Sequence, residues 1–318
     1  MAGMSHERVT HTATERTLGR LPSGADVAVT VHRYEGGDGP TVYVQAAQHG
    51  IELNGPATLR RLHEALLDAE LAGTVLTVPL ANRPAFDHRS YGAPPEFDAV
   101  NPNMNRVWPG DEDGTFQERL AAELWELVSA ADAIVDLHTG TADMLEHVRV
   151  TGGDPEARGL AEVFGTEFLL VDDPDDTPGG KLRTAAADAD IPAIAVELAN
   201  SRQVSHDAVD AGVRGVRNLL RELDVLAGHP DPPPEQTVLR DDTERTAAQA
   251  SGLFELRPDV GVGEYLEAGS KLGTIYCPSS FERLQTVTVA DSGVAYSLTR
   301  EGVMVAGERL AAVGRRVE

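Results

Sequence analysis

Two histidines and two glutamates carry the chemistry open to this sequence. His49 and Glu52 stand three residues apart in "VQAAQHGIELNGPATLRRL" (44–62), a stretch that opens as a strand and closes as an amphipathic helix. His138 ends the apolar run "AIVDLH" (133–138), and Glu197 lies inside another, "AIAVELAN" (193–200). Two imidazoles and a carboxylate are donors that zinc accepts, and with water in the fourth position they make an open, catalytic site. A further carboxylate can serve that water as general base. Ordinary roles also exist. An H-x-x-E pair arises by chance on solvated loops, and a histidine at a strand end can simply donate to a carbonyl. Glu197 has less room for such a role, because a carboxylate in an apolar strand is costly to bury unless it is paired or metal-associated. Their placement at equivalent strand ends joins the four: His49, Glu52 and His138 as zinc ligands, Glu197 as base.

The elements around them alternate. Short apolar runs at 41–47, 74–80, 133–138, 167–171 and 193–198 predict strands, with helix patterns between them at 55–70, 115–130, 156–164, 180–190 and 205–227. In the first helix Leu59, Leu62, Leu66 and Ala69 fall on one face. Such alternation predicts an α/β fold with a mostly parallel sheet covered by helices on both faces. "DVAVTVHR" (26–33) has alternating apolar positions and predicts an antiparallel addition. In open sheets of this kind ligands gather outside the carboxyl ends of the strands, where the four residues fall. Asp136, two residues before His138, is expected on the opposite face of a regular strand, supporting the histidine only by turning toward it. His88, His147, His206 and His229 read as loop or surface residues.

A proline-dense segment, "GHPDPPPEQT" (228–237), marks a boundary. The catalytic α/β domain is expected over residues 1–228. A small all-β C-terminal domain, glycine-punctuated and without a convincing helix, is expected over 229–318.

Composition narrows the class. The 318 residues are 41% apolar, which is globular rather than disordered, and no apolar run reaches the length of a membrane span. The N-terminus has no apolar core of a secretory signal, and the single cysteine, Cys277, fits a reducing compartment, so a cytoplasmic enzyme is expected. Acidic residues outnumber basic ones 51 to 27, a formal charge of −24, and only Lys181 and Lys271 are lysines. That surface repels nucleic acid and anionic membranes, which excludes both as partners. Acid-rich, lysine-poor chains are typical of halophilic proteins, whose self-repulsion salt screens. Either a monomer or a homo-oligomer fits.

"HGIELNG", "NMNRVWPG", "DLHTG" and "AIAVELA" together resemble the ordered motifs of the succinylglutamate desuccinylase/aspartoacylase family, in the zinc carboxypeptidase-like superfamily. The resemblance spans essentially the whole chain, since that family also carries a β-domain after its catalytic domain. It implies a zinc-dependent hydrolase of amide bonds, with one zinc per chain, that removes an acyl group from a small N-acylated amino acid. It assigns the zinc ligands to His49, Glu52 and His138 and the general acid/base to Glu197. It places the family's carboxylate-binding Asn-Arg pair at Asn105 and Arg106, and the arginine that polarises the scissile carbonyl at Arg89. Asn103 stands where the family motif has aspartate. Arginine suits position 106 physically, because its planar fork grips a carboxylate through two parallel hydrogen bonds. The alternative is an ordinary ion pair with Asp111 or Glu112. Two rival functions stay open: a zinc carboxypeptidase acting on peptide C-termini, and a non-enzymatic binding module. The second rests on "ADSGVAYSLTREGVMVAGERLAAVG", which resembles a biotinyl/lipoyl carrier hairpin but has no lysine at a hairpin turn.

Overall fold

The computed structural model describes residues 5–140, 143–173, 179–300 and 302–317. Its amino-terminal part opens with an antiparallel hairpin, β1 (Thr10–Arg20) and β2 (Asp26–Glu35). There follow β3 (Gly37–Ala46), α1 (Asn54–Leu67), β4 (Glu70–Val78), α2 (Arg83–Asp87), α3 (Phe116–Val128) and β5 (Ala133–Gly140). Then come β6 (His147–Thr151), α4 (Pro155–Phe164), β7 (Phe168–Asp172), α5 (Leu182–Asp188), β8 (Ala193–Asn200) and α6 (His206–Glu222). β3 pairs in parallel with β4 and β5, and β5 in parallel with β8. The hairpin extends this core through an antiparallel β2–β4 pairing.

Strand alternation sorts the core residues to two faces. Val42, Val44, Val135, Leu137, Ile194 and Val196 pack with Leu59 and Leu62 of α1, Phe164 of α4, and Val216 and Leu219 of α6. Tyr43, Ile134 and Ala193 pack with Leu120 and Leu124 of α3 and Leu182 of α5. These side chains are almost wholly removed from water, and each large one contributes about 1.5–3 kcal/mol. Local signals set the helix ends. Thr115 and Glu118 form a capping box on α3, Asp154 and Ser205 cap α4 and α6, and Gly165 ends α4 in the left-handed region (φ 84°).

Two strands depart from the expectation. β1, "THTATERTLGR", is mostly polar and exposed, so periodicity gives it no mark; it is the partner of the alternating segment at 26–35. β6 enters the sheet between β7 and β8, parallel to the first and antiparallel to the second. It carries His147 and Arg149 where a buried strand is ordinarily apolar.

Beyond residue 228 the described chain forms strands: β9 (Thr237–Arg240), β10 (Gly252–Leu256), β11 (Lys271–Tyr276), β12 (Arg283–Thr288), β13 (Gly293–Leu298) and β14 (Arg309–Arg316), with shorter pairs between. β10, β11 and β12 belong to a small separate antiparallel sheet. β9 instead runs parallel to β7, and β14 pairs antiparallel with β9 and with β13. Backbone hydrogen bonding therefore crosses residue 228. Leu170 and Leu239 cluster there with Val294, Tyr296 and Ala312. No helix among the described residues is long and apolar enough to cross a membrane.

Candidate active site

The turn after β3 builds one side of the site. Ala47 is left-handed (φ 55°), and the chain then passes through His49, Gly50 and Glu52 into α1. Gly50 lies against the backbone of Ala85; a Cβ there would sit 2.0 Å from the Ala85 oxygen, so glycine lets the turn close. His49 Nδ1 lies 2.8 Å from Glu52 Oε1. From the end of β5, His138 Nδ1 lies 3.0 Å from Glu52 Oε2, which also accepts the Thr139 backbone N–H at 3.2 Å. All three side chains are buried, and their donor atoms lie within 4.8 Å of one another.

The other ring nitrogens are engaged. His49 Nε2 meets Asn103 Oδ1 at 3.0 Å, and His138 Nε2 meets Asp136 Oδ2 at 2.7 Å. An oxygen acceptor at each Nε2 holds the proton there and turns the Nδ1 lone pairs toward Glu52, the tautomer a metal ligand needs. Two lone pairs facing a carboxylate require a cation between them, a proton or a metal ion. The donor set therefore fits zinc. Burial raises the Glu52 carboxyl, but the facing imidazoles outweigh it and hold the group below the usual carboxylate range. Burial likewise opposes charge on His138, and Asp136 with Glu52 overcomes it, raising the imidazole well above its ordinary value.

Asp136 corrects an expectation. Residues two apart in a strand share a face, so Asp136 and His138 lie together without any turn. The Asp136 carboxylate also accepts from Gln45 Nε2 (3.1 Å) and Gln48 Nε2 (2.6 Å), and Gln48 Oε1 accepts from Trp108 Nε1 (2.7 Å). Asn103, where the family motif carries aspartate, keeps the acceptor for His49 and drops the charge.

β8 brings the second glutamate, with Glu197 in register with His138 on β5. Its Oε2 is buried and has no hydrogen-bond partner among the described residues, a condition that ordinarily costs about 1–3 kcal/mol. Burial is the chief reason its carboxyl titrates above the ordinary value, with Glu52 adding to it against the pull of His138.

These groups face a cavity of about 530 Å³ that Tyr91, Asn105 and Arg106 also line. Tyr91 stacks on His49 with ring centroids 3.9 Å apart and planes 9° from parallel. The C-terminal segment closes the wall with Thr299, Met304 and Arg309. Cations are prominent here, although the chain as a whole carries −24. Arg149 is neutralised by Asp172 (3.0 Å) and Asp241 (3.1 Å), and Arg183 pairs with Asp172. Arg106, Lys181 and Arg309 form no ion pair among the described residues. Burial, with Arg183 nearby, lowers the Lys181 amine to about 8.

Of the residues singled out in the sequence, His49, Glu52, His138, Glu197, Asn105 and Arg106 come together on this cavity. Arg106 is the last residue of a single turn of 3₁₀ helix (Met104–Arg106) and makes no ion pair with Asp111 or Glu112. Arg89 does not join them. It is exposed just past the end of α2 in a left-handed conformation (φ 53°), and the cavity lining omits it. His147 is also corrected: it is a buried residue of β6, not a surface one, while His88, His206 and His229 are exposed. Tyr91, Arg149, Lys181, Arg183 and Arg309 were not foreseen. The rarity of lysine was the one signal that pointed toward any of them.

Residues 38–223 match the succinylglutamate desuccinylase/aspartoacylase catalytic domain. The chain is 26% identical over 295 residues to the N-alpha-acetyl-L-2,4-diaminobutyric acid deacetylase of Halomonas elongata, covering 88% of this chain and 81% of that one. The fold matches a succinylglutamate desuccinylase/aspartoacylase structure from Rhodobacter sphaeroides (TM-score 0.83, 24% identity, 100% and 99% of the two chains). It matches equally the product-bound ectoine utilization protein EutE (DoeB) of Ruegeria pomeroyi (TM-score 0.84, 23% identity, 99% and 97%). At those identities the structural likeness speaks to the fold alone. With more than half of the chain covered by the domain match, the protein belongs to the succinylglutamate desuccinylase/aspartoacylase family.

Proposed function

We propose that the protein is a zinc-dependent amide hydrolase that removes the acyl group from a small N-acylated amino acid. The observation that carries this reading is the His49–Glu52–His138 cluster, set beside the unpaired carboxylate of Glu197 on one cavity. The deacetylase relative from Halomonas elongata supports the substrate class.

Zinc held by His49, Glu52 and His138 would supply a Lewis acid, acidifying water and polarising the scissile carbonyl. Glu197 takes the proton from the attacking water, whose oxygen bonds to the carbonyl carbon. It returns that proton to the nitrogen as the C–N bond breaks, since an amide anion is a very poor leaving group. A carboxyl raised by burial suits both halves of this exchange. Arg106, with Asn105 beside it, binds the substrate carboxylate, and Lys181 and Arg309 add to the anionic preference of the cavity. This reading gives Arg89 no role, since it lies outside the cavity lining.

The test is an activity screen of the zinc-loaded protein at high salt. The panel contains N-acetyl and N-succinyl derivatives of aspartate, glutamate, glutamine and diaminobutyrate, with short peptides as the control. Hydrolysis of at least one N-acyl amino acid is expected, abolished by a chelator and restored by zinc, with little action on peptides. A preference for peptides would replace this reading with a carboxypeptidase.

A further inference from the structure

Three of the ten histidines meet far from the cavity. His11 projects from β1, His32 from β2 and His63 from α1, and one nitrogen of each lies within 4.8 Å of the other two. The register of the hairpin sets this up. His11 pairs with Tyr34 and His32 with Ala13, which puts the two histidines on a diagonal of one face.

The geometry points to a second metal site, in which His11, His32 and His63 hold a divalent transition-metal ion of the imidazole-seeking class, such as zinc. His11 Nε2 and His32 Nδ1 are 3.1 Å apart. Nitrogens on a tetrahedral zinc with bonds of about 2.05 Å stand about 3.3 Å apart, so this pair is already close to the spacing of two ligands. Tyr34, fully buried, places its hydroxyl 2.7 Å from His63 Nδ1. With the proton on that nitrogen the hydroxyl accepts and the Nε2 lone pair is left for an ion, as with the partners of ligating histidines. All three histidines are half-buried, so water can reach the remaining position.

The electrostatics agree. In a chain with 51 acidic residues, none forms an ion pair with these imidazoles among the described residues. What the cluster offers a cation is nitrogen alone. The surrounding negative field concentrates cations. Three imidazoles without a thiolate suit zinc, copper or nickel rather than calcium or magnesium. An ion bound there would tie the amino-terminal hairpin to the first helix, three elements linked by one centre.

Zinc bound per chain, measured on the full-length protein after equilibration at micromolar free zinc, tests this. Wild type is expected to bind one zinc more than His63→Gln and one more than His32→Gln, while both variants keep wild-type hydrolytic activity. His63 lies on a helix rather than in the hairpin, so its variant stays informative if His32→Gln folds poorly. Zinc should also raise the melting temperature of wild type by more than that of His63→Gln. Equal zinc content in wild type and both variants would overturn the proposal. Because only the difference between proteins is read, that outcome leaves the active-site assignment standing, and a failed active site leaves this one standing.

Discussion

In the proposed reaction, Glu197 concentrates the chemistry of the site in one buried, unpaired oxygen. Replacing its acid while keeping its shape separates chemistry from binding. Glu197→Gln is expected to retain zinc, with kcat lower by at least about 10²-fold; near-normal turnover would identify another base. Lys181 adds a pH dependence. Its amine is lowered to about 8 by burial and Arg183, so the folded protein carries that charge below pH 8 and loses it above. KM for an anionic substrate should therefore rise above pH 8, and Lys181→Met should flatten that limb. If the limb persists in the variant, it belongs to another group. His49, Glu52, His138 and Glu197 were legible in the sequence because His138 and Glu197 are polar within apolar strands, and His49 and Glu52 lie in the turn that follows another. Lys181 and Arg309 were not, because they reach the cavity from a loop and a distant strand that no local pattern connects.

β6 shows what periodicity overlooks in an element. The central strands and the helices that cover them were legible, because apolar side chains at regular spacing are the cause of their burial. β6 is buried with an imidazole and a guanidinium, and it stays so because Asp172 and Asp241 neutralise Arg149. No count of apolar residues anticipates that pairing. His147 on the same strand has its pKa lowered to about 4, by burial and by Arg149. The folded value lies below the unfolded one, so as pH falls the unfolded chain takes up the proton first. The stability is whole above about 6.5 and is lost progressively down to about 4. The gap between those values corresponds to about 3 kcal/mol. Urea unfolding between neutral pH and pH 4.5 should show a smaller loss for His147→Gln than for wild type; equal losses would assign the acid sensitivity elsewhere.

Over the whole molecule, a charge of −24 sets a self-repulsion that salt relieves. The melting temperature is expected to rise markedly between dilute buffer and molar potassium chloride, and a flat profile would refute the halophilic reading. The hydrogen-bonded seam between β7 and β9 has a further consequence. β7 has β6 on one side and β9 on the other, so a chain cut after residue 228 would present β7 as an open edge. Open edges recruit other chains. Expressed alone, the first 228 residues should aggregate, whereas the intact protein should melt in a single calorimetric transition. Two resolved transitions would mean that the seam does not bind the two halves into one cooperative unit.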